Sequence, residues 1–291
     1  TLYRDDYGIE TAVATGKRLA SCLQQQELGR DFHITGKIRI GVWMLQDVAQ
    51  KRGVEFVKEL CREIESTTPA VTFDVRDFSE SEIYRCIACD VCPVKPGSRD
   101  DYRCIIKSEK DLFVQQHNNL VNVDAVLLAA YSPAERGDLH SVYQRFLERT
   151  RYLRRDDYAL ADRLAAPLVI SEVGSNQNLH IRMLTSLVRH QTILHHPLIG
   201  YEHGDQVLTR DQLIEDAMSF VKCAAQLTAG RVARSGAESS QLAYNPVGYQ
   251  VSAAERAEQE ANGVILRLKQ ERQAQHEQEQ VRRVVASDVE S

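Results

Sequence analysis

The sequence predicts an α/β fold in which a five-stranded parallel sheet is covered by helices on both faces. Strand-like and helix-like patterns alternate five times between residues 37 and 230. The segment 123–130 is almost entirely apolar, which is typical of a strand that is buried on both faces. Alternation of this kind builds parallel sheets through crossover helices, so a doubly wound sheet is the expected architecture.

An extra helix precedes the predicted sheet, and the first strands follow it closely. Ile9, Val13 and Leu23 fall on one helical stripe, which predicts a helix over residues 6–28. Beyond it, apolar segments of strand length alternate with segments of helical spacing. They predict a strand over 37–43, a helix over 47–64, a strand over 69–75, a helix over 108–119 that Ser108 caps, and a strand over 123–130.

The second half of the predicted domain repeats the alternation with shorter strands. Its predicted elements are a helix over 138–152, strands over 167–170 and 195–200, a helix from 178 to about 194, and a helix over 211–230. Ligands of parallel sheets bind beyond the carboxyl ends of the strands. The loops 43–53, 131–137 and 171–178 therefore form the predicted site.

The composition changes near residue 233, which suggests three parts: an N-terminal extension over 1–36, an α/β domain over 37–232, and a C-terminal arm over 233–291. Residues 234–250 are polar and predict an extended arm. Residues 252–285 have helical character but few large apolar side chains, so they bury little surface alone. A solvated tail and a partner-binding helix both remain open for this segment.

The composition and net charge argue against several classes of protein function. Of the 291 residues, 43% are hydrophobic and 26% charged, and the net charge is −5, which gives no basic field for nucleic acid. The apolar runs are too short to span a bilayer, and nothing resembles a signal peptide. Four of the seven cysteines are clustered, which fits a reducing compartment better than a disulfide framework. We expect a cytoplasmic protein.

The clearest indication of a chemical function is a cysteine motif in the loop 84–106. Cys86, Cys89 and Cys92 are separated by two residues each, and Cys104 follows after eleven residues. A C-x2-C-x2-C run can place each sulfur on a different iron of a cubane, and Cys104 is the nearby thiol left for the fourth iron. The motif predicts a [4Fe–4S] cluster on these four cysteines. A structural zinc site is the alternative, although zinc usually takes two separated pairs, and unliganded thiols are the third possibility.

The order of these features resembles the flavodoxin-like NADPH-dependent FMN reductase family, and within it the iron–sulfur flavoproteins. The resemblance covers about 37–230: strand, helix, strand, then a compact cysteine run before the third strand. Residues 128–150 are similar to the family's flavin-ring loop and its following helix, and 174–178 to its second ring-side loop. The resemblance implies strand order 2-1-3-4-5, FMN at the carboxyl edge of the sheet, NAD(P)H as a candidate electron donor, and a homodimer or homotetramer.

The candidate FMN contacts follow from these loops. On the ring side they are Tyr131, Ser132, Pro133, Gly137, Gly174, Ser175 and Asn176. The family's Gly-Ser-Pro-Arg phosphate loop is absent after the first strand, and Asp47 stands there instead. A phosphate can still bind backbone N–H groups at a helix start, helped by Gln46, Gln50, Lys51 or Arg52. Weak, altered or lost FMN binding is the alternative.

Two further features concern catalysis and partners. His180 opens the fourth helix of the predicted domain near the second ring-side loop, where it is a candidate proton donor or a packing residue. The basic run 149–155 is either a compensated helix terminus or a docking patch for a ferredoxin-like carrier. The expected function is an oxidoreductase that passes electrons between a [4Fe–4S] cluster and FMN, and on to a small-molecule substrate or acceptor. A non-enzymatic assembly or partner-binding protein, with a structural metal and no flavin, is the alternative.

Overall fold

The computed structural model describes residues 6–31, 34, 36–45, 52–79, 81–89, 92, 102–134, 141–154, 158–175, 178–204 and 206–234, together with residues 271, 274 and 278. Within these ranges the helices are α1 (Asp6–Leu28), α2 (Arg52–Thr67), α3 (Leu112–Val121), α4 (Ser141–Arg149), α5 (Arg151–Arg154), α6 (Leu179–Val188) and α7 (Arg210–Arg234). The strands are β1 (Ile38–Met44), β2 (Val71–Asp77), β3 (Ala125–Ser132), β4 (Leu164–Glu172), β5 (Ile193–Leu194), β6 (Leu198–His203) and β7 (Gln206–Val207). No helix in the described ranges is long and apolar enough to cross a bilayer.

The strands form one mostly parallel sheet in the order β2-β1-β3-β4-β6-β7, and β5 pairs with β4 beside β6. The short strands β5 and β6 run parallel to the same edge of β4, so together they act as one interrupted fifth strand. Pro197 lies in the interruption, where its missing N–H removes a ladder donor. The predicted flavodoxin-like order 2-1-3-4-5 is therefore confirmed, and the antiparallel strand β7 extends it.

Two apolar cores lie on opposite faces of the sheet. One core joins the side of β1 that carries Ile40 and Val42 to helices α2 and α7. The other joins Trp43, on the opposite side of β1, to helices α3, α4 and α6. Because both faces are covered, the central strand β3 is buried along its whole length, as its apolar sequence predicted.

Helix α1 lies against the C-terminal half of α7 and is anchored by a close backbone crossing. Gly29 and Gly230 occupy the crossing, where a Cβ atom on either glycine would lie 1.8 Å from a carbonyl oxygen of the other helix. Gln25 is buried and donates to the Leu227 carbonyl at 3.0 Å. The predicted N-terminal helix is thus part of the α/β unit.

Several predicted boundaries were wrong at the ends of elements. Tyr131 and Ser132 continue strand β3 instead of opening a loop, because their backbones pair in register with Ile170 and Ser171 of β4. Helix α6 ends at Val188 instead of near 194, where Gln191 takes a positive φ of 57°. The helix predicted over 138–152 is divided by a turn at residue 150, which separates α4 from α5, and its predicted start at 138–140 lies outside the described residues. Of the predicted C-terminal arm, residues 233 and 234 belong to the end of α7, and the rest lies outside the described residues apart from 271, 274 and 278.

Candidate functional site

The carboxyl ends of the parallel strands form the edge at which a ligand is expected. Strands β3 and β4 reach it together, with Ser132 opposite Ser171, and Glu172 of β4 stands opposite Glu202 of β6. The backbone N–H of Ala134 donates to the Glu172 carboxylate at 2.9 Å, which ties the β3 exit to this edge. The cysteine loop also leaves the sheet here, because it follows the carboxyl end of β2.

The four cysteines of the motif meet at one cavity. It holds about 330 Å³ of space including its opening to solvent, of which about 10 Å³ admits the centre of a water molecule. Cys92 is buried, and the other three thiols are half-buried. The cavity is lined by Cys86, Ile87, Cys89, Cys92, Cys104, Ile105, Ile106, Arg149, Arg151 and Tyr152. All four predicted metal ligands therefore line one cavity, although no three of the described His, Cys, Asp and Glu side chains are placed to hold a single ion.

Contacts at the neck of the cysteine loop hold its two flanks together. The Leu112 N–H donates to the Glu82 carbonyl at 2.9 Å, and the Tyr84 N–H donates to the Asp111 carboxylate at 3.2 Å. Ala88, between the first two cysteines, has a φ of 52°, a left-handed conformation that turns the chain there. Asp111 is the N-cap residue of α3, but its carboxylate makes no cap bond.

The Asp111 carboxylate instead pairs with Arg149, and both side chains are almost completely buried. Arg149 also donates to the Cys104 Sγ at 2.8 Å and to the Tyr102 hydroxyl at 2.7 Å. Burial alone would lower the pKa of Arg149, but the neighbouring Cys104, Tyr102 and Asp111 hold that pKa above its ordinary value. Arg149 therefore stays charged beside the cavity.

Sequence reasoning missed this position. It placed Arg149 at the end of the helix that follows the flavin-ring loop and in a basic run at that helix C-terminus, whereas the structure buries its side chain under the cysteine cavity. A signal was present in the spacing, because Val142, Phe146 and Arg149 follow one another at intervals of four and three residues. That spacing puts all three on the buried face of α4. Arg149 cannot serve a docking patch for a ferredoxin-like carrier.

The donor geometry bears on the choice of metal. No three of the His, Cys, Asp and Glu side chains in the described ranges are close enough together to hold a single metal ion. In a tetrahedral zinc site with Zn–S bonds of about 2.3 Å, the sulfurs lie about 3.8 Å apart. In a cubane each thiolate binds a separate iron, so the sulfurs lie further apart.

The described residues among those predicted for the flavin ring lie at the carboxyl edge, and several of them already make contacts within the protein. The Tyr131 hydroxyl donates to the buried Glu202 carboxylate at 2.7 Å, so it faces the protein interior. Ser132 is buried, and the Ser175 Oγ lies 2.5 Å from the Ser171 Oγ. Gly174 has a φ of 92° with open space where a Cβ would stand.

The remaining predicted contacts are described only in part. Pro133 is half-buried at the end of β3, and His180 is half-buried in the first turn of α6. Arg52 is the first residue of α2, which places its backbone at the helix start where a phosphate was predicted. Gln46, Gln50, Lys51, Gly137 and Asn176 lie outside the described residues.

A second cavity, with about 200 Å³ open to the centre of a water molecule against about 10 Å³ in the thiol cavity, lies between the first turns of α2 and the carboxyl edge of the sheet. Two aromatic rings and three carboxylates line it, together with small and apolar groups: Gly53, Glu55, Phe56, Glu59, Tyr131, Ile170, Glu202 and Val207. Like charges repel, so the carboxylates do not fit a phosphate dianion in this cavity. A phosphate at the start of α2 would therefore have to bind outside this cavity.

The comparisons with known proteins give a coarse likeness. No protein-family model matches the chain, and no curated protein matches it in sequence. Among solved structures, RosB with a bound 8-demethyl-8-formylriboflavin-5'-phosphate intermediate is 13% identical, with a TM-score of 0.46 over 77% of this chain and 87% of RosB. An azoreductase from Bacillus anthracis str. Sterne is 11% identical, with a TM-score of 0.38 over 66% of this chain and 99% of its own.

The general stress protein 14 of Treponema denticola, solved in complex with FMN, is 11% identical. Its TM-score is 0.38 over 65% of this chain and 99% of its own length. Identities and scores this low carry no inference about activity, so the flavodoxin-like assignment rests on the strand order observed in this protein.

Proposed function

We propose that this protein is an oxidoreductase of the iron–sulfur flavoprotein type. The loop 84–106 would hold a [4Fe–4S] cluster on Cys86, Cys89, Cys92 and Cys104, and FMN would bind at the carboxyl edge of the sheet. One observation carries the proposal: the four thiols of the motif line a single cavity, in a loop that leaves the sheet at its ligand-binding edge. Electrons would pass between the two centres and a small-molecule acceptor or substrate.

The thiol cavity supports a cluster over zinc for two reasons. The C-x2-C-x2-C run followed by Cys104 lacks the two separated pairs that zinc usually takes, whereas such a run can place each sulfur on a different iron. A buried guanidinium also stands beside Cys104, where it stabilises the negative charge that four thiolates bring to an iron–sulfur centre. When bound, the cluster supplies one-electron transfer. The chain itself contributes the four thiols, a low-dielectric wall of isoleucines, and the fixed neck of the loop.

The strand order supports a nucleotide-type cofactor at the carboxyl edge. The direction of strand succession reverses between β1 and β3, and the crevice at such a switch point is where doubly wound sheets bind ligands. FMN there would bring its ring to Ser132, Pro133, Gly174 and Ser175, and its phosphate to the start of α2. NAD(P)H is the proposed source of electrons, with a ferredoxin-like carrier as the other candidate.

Analysis of the purified protein tests the proposal directly. We expect anaerobically purified wild type to contain roughly four irons and four sulfides per chain, as the cubane stoichiometry requires, and an acid extract to contain FMN. Cys86→Ser should lose iron and sulfide. Cys223→Ser is the matched control, because Cys223 lies in α7 away from the cavity and should leave the iron content unchanged. Colourless wild type that contains zinc would refute the cluster.

A non-enzymatic role is the second candidate, and the carboxylates of the 200 Å³ cavity favour it. Glu55, Glu59 and Glu202 face a space where a nucleotide was expected. In that case the metal would be structural and the protein would bind a partner. An acid extract without flavin, from a protein that keeps its metal, would support this second function over the first.

Self-association is proposed on the surface of α1. Ile9, Val13, Leu19 and Leu23 expose between 42% and 62% of their surface along this helix. Burial of such apolar side chains drives association, so a homodimer or homotetramer is expected. The native mass of the full chain measures this directly, and a monomer at micromolar concentration would contradict it.

A further inference from the structure

Arg149 occupies a position that the proposed function does not yet use. It ends helix α4, its side chain is 1% exposed, and it lines the thiol cavity. Its guanidinium bridges two elements, because it pairs with Asp111 before α3 and donates to Cys104 and Tyr102 on the flank of the cysteine loop. Each of these partners lies within a hydrogen-bond distance, so the guanidinium is held in one place.

The Arg149 guanidinium is paired with a carboxylate and also contacts a cysteine sulfur. Asp111, which is fully buried, already balances the guanidinium as an ion pair. The contact from the Arg149 Nη1 to the Cys104 Sγ, at 2.8 Å, is additional to that pair. A buried cation with a paired carboxylate and a sulfur contact is well placed to stabilise negative charge that develops on the sulfur.

One nitrogen of Arg149 finds no acceptor among the residues that the structure describes. Its Nε is buried and makes no hydrogen bond to the described residues. A buried N–H group without an acceptor is unfavourable and is rare in native proteins. The inorganic sulfides of an iron–sulfur cluster are acceptors that would enter the cavity that Arg149 lines. A zinc ion would bring no such atoms into the cavity.

We propose that Arg149 is a positioning residue for the cluster, which holds Cys104 in place as a ligand and makes the cluster easier to reduce. The inference rests on the proposed function, since it requires iron in the cavity. Reduction adds one negative charge to the cluster. A guanidinium and its N–H···S hydrogen bond stabilise that added charge, and such bonds to the sulfurs raise the reduction potential.

The test replaces Arg149 with lysine. Arg149→Lys keeps the charge opposite Asp111, but an ammonium group cannot span Asp111, Tyr102 and Cys104 at once. We expect the equilibrium constant for reduction of its cluster to fall at least tenfold. For one electron this lowers the reduction potential by about 59 mV. Redox titration monitored by electron paramagnetic resonance measures the shift.

Arg85→Lys is the matched control. Arg85 directly precedes Cys86, but it is exposed and pairs with Glu148, so the same change there should leave the potential unchanged. An equal shift in both variants would overturn the assignment. It would mean that replacing an arginine near the loop by lysine changes the reduction potential whether or not that arginine contacts Cys104. An unchanged potential in Arg149→Lys with full iron content would overturn it as well.

A second variant covers the case in which the lysine protein fails to fold. Arg149→Met combined with Asp111→Asn removes both charges of the buried pair, so neither is left unpaired. Circular dichroism verifies its fold, and the same negative shift is expected. Wild type without iron and sulfide would refute the proposed function itself, whereas iron-loaded wild type with unshifted variants would refute only the role of Arg149.

Discussion

Replacing Gly230 by alanine tests whether α1 and α7 cross with their backbones in contact. A Cβ atom at residue 230 would lie 1.8 Å from the Gln25 carbonyl oxygen, whereas real Cβ atoms essentially never approach within 3.0 Å of another heavy atom. The obstacle is backbone, which cannot rotate aside as a flexible side chain can. Alanine must therefore push the two helices apart.

Three contributions set the change in the free energy of unfolding: the first favours alanine, and the other two oppose it. Alanine favours a helix interior over glycine by about 1 kcal/mol. Overpacking at a tight contact costs about 1–3 kcal/mol. Separation of the helices also stretches the buried bond from Gln25 to the Leu227 carbonyl, which contributes about 0.5–1.5 kcal/mol to stability. The steric contribution dominates, and we expect Gly230→Ala to destabilise the docking of α1 by about 2 kcal/mol.

Gly16→Ala is the matched control within the same helix pair. Gly16 lies in α1, and a Cβ atom on it would meet no heavy atom within 4 Å, so alanine there should stabilise the protein by about 0.5–1 kcal/mol. Urea unfolding reports the global free energy, and hydrogen exchange of the α1 amides reports its docking. If Gly230→Ala stabilises the protein as Gly16→Ala does, the close crossing is wrong.

Two further predictions concern the site edge and the response to acid. Gly53→Ala should destabilise the protein by about 1–3 kcal/mol in urea unfolding, because its Cβ would lie 2.7 Å from the Tyr131 Cβ, and an unchanged midpoint would contradict that packing. Burial lowers the pKa of His190 from 6.5 to about 3, so between these values the unfolded chain binds more protons and stability falls as the pH falls. Acidification from pH 7 to 4.5 should therefore cost wild type about 2–3 kcal/mol more than His190→Gln, and equal pH dependence in the two proteins would contradict it.

The sequence predicted the sheet well where the apolar pattern is strong. The run from Val123 to Ala130 has almost no polar residue, and the structure buries it in the centre of the sheet. The position of the cysteine loop between the second strand and the next helix was also predicted correctly. Such features can be predicted from the sequence because the spacing of apolar residues along the chain reflects which positions are buried.

The ends of elements were predicted less well, because tertiary pairing decides them. Tyr131 and Ser132 look like the start of a loop that leads to Pro133, yet their backbones pair with β4 and extend the strand. The Tyr131 side chain then finds a buried carboxylate on β6, 71 residues away in sequence. A contact at that separation leaves no mark on neighbouring residues, so the predicted exposed flavin contact could not be distinguished from a core tyrosine.

What the sequence determined by itself is the alternation of strands and helices and the spacing of the four thiols, since hydrophobic period and motif spacing are local properties. The tertiary structure alone decided that Arg149 is buried under the thiol cavity with Asp111 as its partner, and that three carboxylates face the cavity beside α2. The physical reason is that the stability of a buried charge depends on groups brought close by folding. Such partners lie on other elements and follow no local pattern.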